Sequence, residues 1–333
     1  MPEPQLRPRH DSLWRRPLLL STGTLSLAGL LALGVVHMDG GDGAGTAGAT
    51  ARTPWAAELP WPREGQAAVR INGVGDLGSH GPQTPVPIAS VTKVMTAYVI
   101  LRDHPLRDGG SGPGITVDQR AADESVSGVE STVPLERGQR LSERRLLELM
   151  LVPSGNNVAR LLARWDAGSE EAFVKKMNRA ADALGMNRTT YTGASGFEPT
   201  TTSTAADQLK LARQVMRDKA FRTVVSKPRT TVPGSSRTLP NTNTLLDTPG
   251  VVGIKTGSST PAGGALMWAV TVPDGRGREH LALGVVLHQR AGTSPQEGLI
   301  AVFDSSRALV EAVRHRMSAT EAALAADAGE AKP

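Results

Sequence analysis

Three short motifs constrain this chain more than anything else in it. Ser90-Val91-Thr92-Lys93 comes first, Ser154-Gly155-Asn156 follows, and Lys255-Thr256-Gly257 comes last. Lys93 is the only lysine with a serine three positions before it. Asn156 is the only asparagine with a serine two positions before it, and Lys-Thr-Gly occurs once. Each is a common local pattern by itself: a capping serine, an interhelical turn, a strand running into a glycine turn. Three unique matches together argue that the fold gathers them into one site.

The spacing of Ser90 and Lys93 places both on one face of a helix, one turn apart. A serine hydroxyl is a poor nucleophile until a base takes its proton. Lysine serves as that base only when its amine is neutral. The positive end of a helix and a second cation such as Lys255 both favour the neutral form. A Ser90 that starts the helix also presents a backbone N–H to an oxyanion. Ser154-Gly155-Asn156 follows Pro153 between two helices, where a tight turn pushes a hydroxyl and an amide into a cleft. Lys255 and Thr256 close the apolar strand Val251-Val252-Gly253-Ile254 and suit an anionic group. Gly257 would let a substrate backbone approach closely.

The chain has 333 residues, enough for one large domain or two ordinary ones. Aromatic residues are 3%, so the core must be built mainly from Ala, Val and Leu. There is no cysteine, which excludes disulfides, a thiol nucleophile and thiolate metal sites. The histidines form no His-x-x-x-His pair, so no metal site and no cofactor are expected. Net charge is +5, part of it in Arg7, Arg9, Arg15 and Arg16. No basic face interleaved with aromatics appears in the folded part, so nucleic acid is not an expected partner.

Residues 1–16 read as a basic cytoplasmic segment. Residues 17–37 read as a membrane anchor, since Pro17 to Val36 carries no charge and has the length of a spanning helix. Arginines before it and Asp39 and Asp42 after it place the rest of the chain outside the cytoplasm. A cleaved signal peptide is the alternative and leads to the same side of the membrane. Residues 38–64, rich in Gly, Ala, Thr and Pro, read as a tether. Gly43-Ala44-Gly45-Thr46-Ala47-Gly48 matches a dinucleotide fingerprint in form only, because it follows no strand and opens no helix. Residues 65–317 carry globular patterning, and 318–333 read as a disordered tail.

Within the globular part, Gln66–Asn72 is expected to be a strand. Helices are expected from Ser90, over Leu141–Val152 with Ser142 as cap, over Asn156–Trp165, from Ser169 to Leu184, and over Ser203–Asp218. The C-terminal third changes to strands at Val251–Lys255, Ala265–Pro273 and His280–Gln289, with a turn at Pro273–Gly277, and closes with a helix over Ser294–Met317. The expected fold is α/β: an antiparallel sheet flanked by helices, with an all-helical subdomain inserted.

At these residues the chain resembles the serine-type D-alanyl-D-alanine carboxypeptidases, the low-molecular-mass penicillin-binding proteins of peptidase family S11. Ile88-Ala89-Ser90-Val91-Thr92-Lys93-Val94-Met95-Thr96-Ala97 is similar to the family's nucleophile segment. Leu149–Asn157 resembles its second motif, where an aspartate is more usual at the position of Asn157. Gly185–Thr189, Ser195-Gly196-Phe197, Asn243–Leu246 and Gly250–Gly257 resemble further segments. The resemblance covers the globular part and implies a β-lactamase/transpeptidase-like fold. By it, Ser90 would be the acylated nucleophile, Lys93 the general base and Ser154 a proton relay. Asn156 would position the substrate, Lys255, Thr256 and Gly257 would bind it, and the N–H groups of Ser90 and Ser258 would form an oxyanion hole. The implied substrate is the peptidoglycan stem peptide, cut between its terminal D-alanines, with β-lactams as inhibitors. Too little chain follows the core for the extra C-terminal β-domain that many members carry.

Three other readings share these residues. A peptidoglycan endopeptidase uses the same set. A class A β-lactamase also needs a Glu-x-x-Leu-Asn stretch after the second motif, which is absent, and usually has aspartate where Gly155 stands. A penicillin-binding docking module without turnover is the non-enzymatic reading, and an intact trio argues against it.

Overall fold

The computed structural model describes residues 57–330 apart from 108 and 233, with side chains as far as 319. The expected basic segment 1–16 and anchor 17–37 lie outside the described residues, as does most of the tether. Among the described residues no helix is long and apolar enough to cross a membrane. Packing reaches further back than the expected start at residue 65. Leu59 is buried in the core and Trp61 stacks on His80 at 5.9 Å, so two apolar side chains pin the end of the tether.

Five antiparallel strands form the main sheet: β1 (Gln66–Ile71), β2 (Gly75–His80), β3 (Val251–Ser259), β4 (Gly263–Pro273) and β5 (Glu279–Gln289), in the spatial order β2-β1-β5-β4-β3. β3 and β4 are joined by a tight turn, as are β4 and β5. Side chains alternate between the two faces. Val69, Ile71, Leu266, Trp268 and Val270 join one core, and Ala68, Met267, Ala269 and Val285 join the other. Gly284 has no side chain because Trp268 fills its place; a Cβ there would stand 2.0 Å from the indole.

The first face is covered by the last helix, α8 (Pro295–Glu330), through Val302, Leu309, Val310 and Val313. α8 continues beyond the expected end at Met317, through an Ala- and Glu-rich stretch of high helix propensity. The second face carries the helical subdomain: α1 (Lys93–Asp103), α2 (Gln119–Glu124), α3 (Glu143–Leu151), α4 (Asn156–Ala167), α5 (Glu170–Ala183), α6 (Ala205–Val215) and α7 (Lys219–Val225). Ser142 and Ser169 cap α3 and α5 as expected, accepting from the amides of Arg145 and Ala172 at 3.3 and 3.1 Å. The sequence did not announce β2, α2 or α7. β2 (GDLGSH) lacks the β-branched run that marks a strand, and the two helices have only 6 and 7 residues. The α/β fold with an all-helical subdomain is as the motifs implied.

Candidate active site

Ser90 lies in a 3₁₀ turn, Ala89–Thr92, that leads into α1. No side chain caps this turn, and Ala89 takes φ 45°, a left-handed conformation that is costly for alanine. Neighbours enforce it. Gly196 packs so closely that a Cβ on it would stand 2.0 Å from the Ala89 carbonyl oxygen. From the other side comes Gly257 of β3, whose added Cβ would meet the Ser90 nitrogen at 2.8 Å. The space a side chain at Gly257 would need is thus taken by the backbone of Ile88, Ser90 and Val91. Ser90 is half-buried, while Lys93 one turn on is fully buried.

Lys93 Nζ has three partners: Ser90 Oγ at 2.8 Å, Asn156 Oδ1 at 2.5 Å and the Ser195 carbonyl oxygen at 2.8 Å. Asn156 Nδ2 donates to Glu130 at 2.6 Å. That carboxylate only accepts, so the amide must turn its oxygen toward the lysine. Two of the three partners of Nζ are thus obligate acceptors. A neutral amine has two hydrogens, and both are committed to Asn156 and Ser195. Its lone pair then points at Ser90 Oγ, where a general base has to sit. Burial holds the Lys93 amine well below the usual lysine range; the charges of Lys255 and Arg160 push the same way, against Glu130 and Glu198.

Ser154 is buried with φ 70°, again a left-handed residue without glycine's freedom. Gly155 follows, where a Cβ would stand 2.9 Å from the Leu149 carbonyl oxygen and the Val133 side chain. The aspartate usual in class A β-lactamases does not fit there. Asn157 is fully buried. Its Oδ1 accepts from the Val133 amide at 3.1 Å, and its Nδ2 reaches the carbonyls of Ala121 and Val133 and Ser125 Oγ at 3.1, 2.9 and 3.1 Å. The amide thus pins the loop that carries Glu130 to the start of α4, a task that needs donors.

Lys255 and Thr256 are buried at the end of β3. Lys255 Nζ donates to Thr242 Oγ1 and the Thr256 carbonyl at 3.3 and 3.0 Å, and Thr256 Oγ1 donates to Thr242 Oγ1 at 2.7 Å. Burial pushes Lys255 down to about 7. Thr242 also donates its N–H to the Val152 carbonyl at 3.1 Å, tying this corner to the Ser154 turn. Ser258 is half-buried and pairs with Gly264 of β4.

The structure therefore joins Ser90, Lys93 and Asn156 directly and holds Lys255, Thr256 and Gly257 on the adjoining strand. Sequence reading missed Glu130, Arg160, Ser195 and Thr242 as supports. Arg160 bonds Glu130 at 2.7 Å and Glu124 at 2.9 Å, both pairs largely buried. Ser195 sits in one of the segments that carried the resemblance; Glu130 and Arg160 carry no local signal. Among the described residues no cluster suited to a metal ion occurs.

The family model described as D-alanyl-D-alanine carboxypeptidase, peptidase S11, matches residues 76–284. The chain belongs to this family of serine-type D-Ala-D-Ala peptidases. It is 33% identical over 245 residues to a D-alanyl-D-alanine carboxypeptidase of Streptomyces sp. strain K15, covering 68% of this chain and 82% of that one. It is 34% identical over 233 residues to a D-alanyl-D-alanine endopeptidase of Pseudomonas aeruginosa, covering 67% and 73%. Among solved structures it matches the Streptomyces K15 DD-transpeptidase with a TM-score of 0.61 at 28% identity, over 74% of this chain and 96% of that one. It also matches penicillin binding protein 6B from Escherichia coli with a TM-score of 0.64 at 26% identity, over 76% and 80%.

Proposed function

We propose that this chain removes the terminal D-alanine from peptidoglycan stem peptides through an acyl-enzyme on Ser90. The observation that supports this most is the triple contact of Lys93. Its lone pair takes the Ser90 Oγ proton as the oxygen attacks the carbonyl of the penultimate D-alanine. The N–H groups of Ser90 and Ser258 receive the oxyanion. The proton passes through Ser154 to the nitrogen of the leaving D-alanine, the C–N bond breaks, and the ester on Ser90 is hydrolysed by water. Lys255 and Thr256 bind the terminal carboxylate, and Asn156 positions the peptide. β-Lactams acylate the same oxygen. The 17–37 segment anchors the domain on the outer side of the cell membrane.

Diacetyl-Lys-D-Ala-D-Ala separates the outcomes. Release of free D-alanine is the expected result. Cleavage confined to cross-linked dimers would make it an endopeptidase, the activity named for the Pseudomonas relative. Rapid nitrocefin turnover would make it a β-lactamase. Loss of the 17–37 segment should release the protein from the membrane fraction, with protease added outside the cell reaching the domain only when the anchor is retained.

A further inference from the structure

Thr242 belongs to none of the three motifs, yet its side chain serves the third. It stands half-buried in the loop that leads to β3. Its backbone is fixed without help from its hydroxyl. The Thr242 N–H donates to the Val152 carbonyl at 3.1 Å. On one side Asn241 bonds the Lys227 carbonyl through Nδ2 at 2.9 Å and the Pro228 carbonyl through its N–H at 2.8 Å. On the other, the Asn243 N–H bonds Asn241 Oδ1 at 2.9 Å. The hydroxyl is left for another task. Among the described residues its hydrogen bonds go to Lys255 Nζ and Thr256 Oγ1 alone, at 3.3 and 2.7 Å.

Both contacts bring hydrogens to Thr242 Oγ1. A hydroxyl oxygen has two lone pairs, so both are taken and its own hydrogen is left over. Thr256 gives its one hydrogen to Thr242 and cannot donate outward in this arrangement. Reversing the pair removes the conflict with no heavy atom moved: Thr242 donates to Thr256, and Thr256 turns its hydrogen to an incoming carboxylate oxygen. The same oxygen matters to Lys255. That fully buried amine bonds no carboxylate among the described residues; its acceptors are the Thr256 carbonyl and Thr242 Oγ1. Burial already drives it toward neutrality, and a hydrogen bond to the charged form opposes this. We propose that Thr242 is a positioning residue for the terminal carboxylate of the substrate: it turns the Thr256 hydroxyl outward and supplies an acceptor to the Lys255 ammonium. This rests on the reading that Lys255 and Thr256 bind that carboxylate.

The test compares diacetyl-Lys-D-Ala-D-Ala with the same peptide amidated at its C-terminus, by release of D-alanine or D-alaninamide over a range of pH. Wild type should favour the acid. Thr242→Val keeps the shape and removes the hydroxyl. It should lower the acid-to-amide ratio of kcat/KM about tenfold, the order for a hydrogen bond to a charged group. The descending limb of the acid profile should move to lower pH, since Lys255 loses its charge sooner. Thr242→Ser keeps the oxygen and should recover most of the ratio and the limb. A structural role would cost both peptides alike. An unchanged ratio in Thr242→Val, with wild type still favouring the acid, would overturn this inference alone. Equal cutting of both peptides by wild type would overturn the carboxylate reading beneath it.

Discussion

Gly257 and Ser90 meet backbone to backbone: a Cβ at Gly257 would stand 2.8 Å from the Ser90 nitrogen and 3.0 Å from the Ile88 carbonyl oxygen. The third motif thus shapes the turn that holds the first. Gly257→Ala should force that turn away from β3 and slow acylation by penicillin, by about a hundredfold for an ångström of displacement. Intact-mass kinetics check this, and an unchanged rate would show that the turn yields without consequence.

In the proposed mechanism the two buried lysines hold opposite charge states. Lys93 is to act neutral, so activity should rise with pH through its lowered value. Lys255 is to bind a carboxylate while charged, so activity on carboxylate substrates should fall as pH rises through about 7 in the free enzyme. kcat/KM for a D-Ala-D-Ala peptide should be bell-shaped, with its descending limb near neutrality. Lys255→Arg should remove that limb, because guanidinium stays charged. A limb unmoved by this change would assign it to another group.

Glu130 fixes the Asn156 amide and bonds Arg160. Its charge also raises the Lys93 value. Glu130→Gln removes that charge, so the ascending limb of the acylation profile should move to lower pH. The maximum rate should also fall, since Asn156 loses its acceptor-only partner. A profile that only drops in height would reduce Glu130 to a structural support.

The three motifs were legible because each is contiguous and carries its local role with it. Ser142 and Ser169 announced α3 and α5 in the same way. Glu130, Arg160 and Thr242 were not legible, since each matters only through a partner distant in the chain. The polar edge strand β2 was also hidden, because Leu77 alone of its residues is buried, too little to set up the apolar alternation that marks a strand. The packing of Gly257 against Ser90 was hidden for a related reason: a missing side chain does not say which neighbour fills the space.

Asn157 donates to two carbonyls and a hydroxyl in a fully buried position. The aspartate more usual in the family would lose those donors and bury a charge. Asn157→Asp should destabilise the fold by about 2–4 kcal/mol at neutral pH. Burial raises the new carboxyl above its unfolded value, so the deficit should shrink as pH falls and protonation restores a donor. Urea unfolding at pH 7 and pH 5 measures both. Equal stability at pH 7 would show that the Glu130 loop does not depend on this amide.

In the proposed mechanism Ser90 Oγ, 2.8 Å from the Lys93 amine, is the atom that becomes acylated. Mass spectrometry of the chain incubated with benzylpenicillin tests it directly. One covalent adduct, mapped to the peptide containing Ser90 and absent in Ser90→Ala, is the expected result. An adduct that persists undiminished in Ser90→Ala would contradict the account.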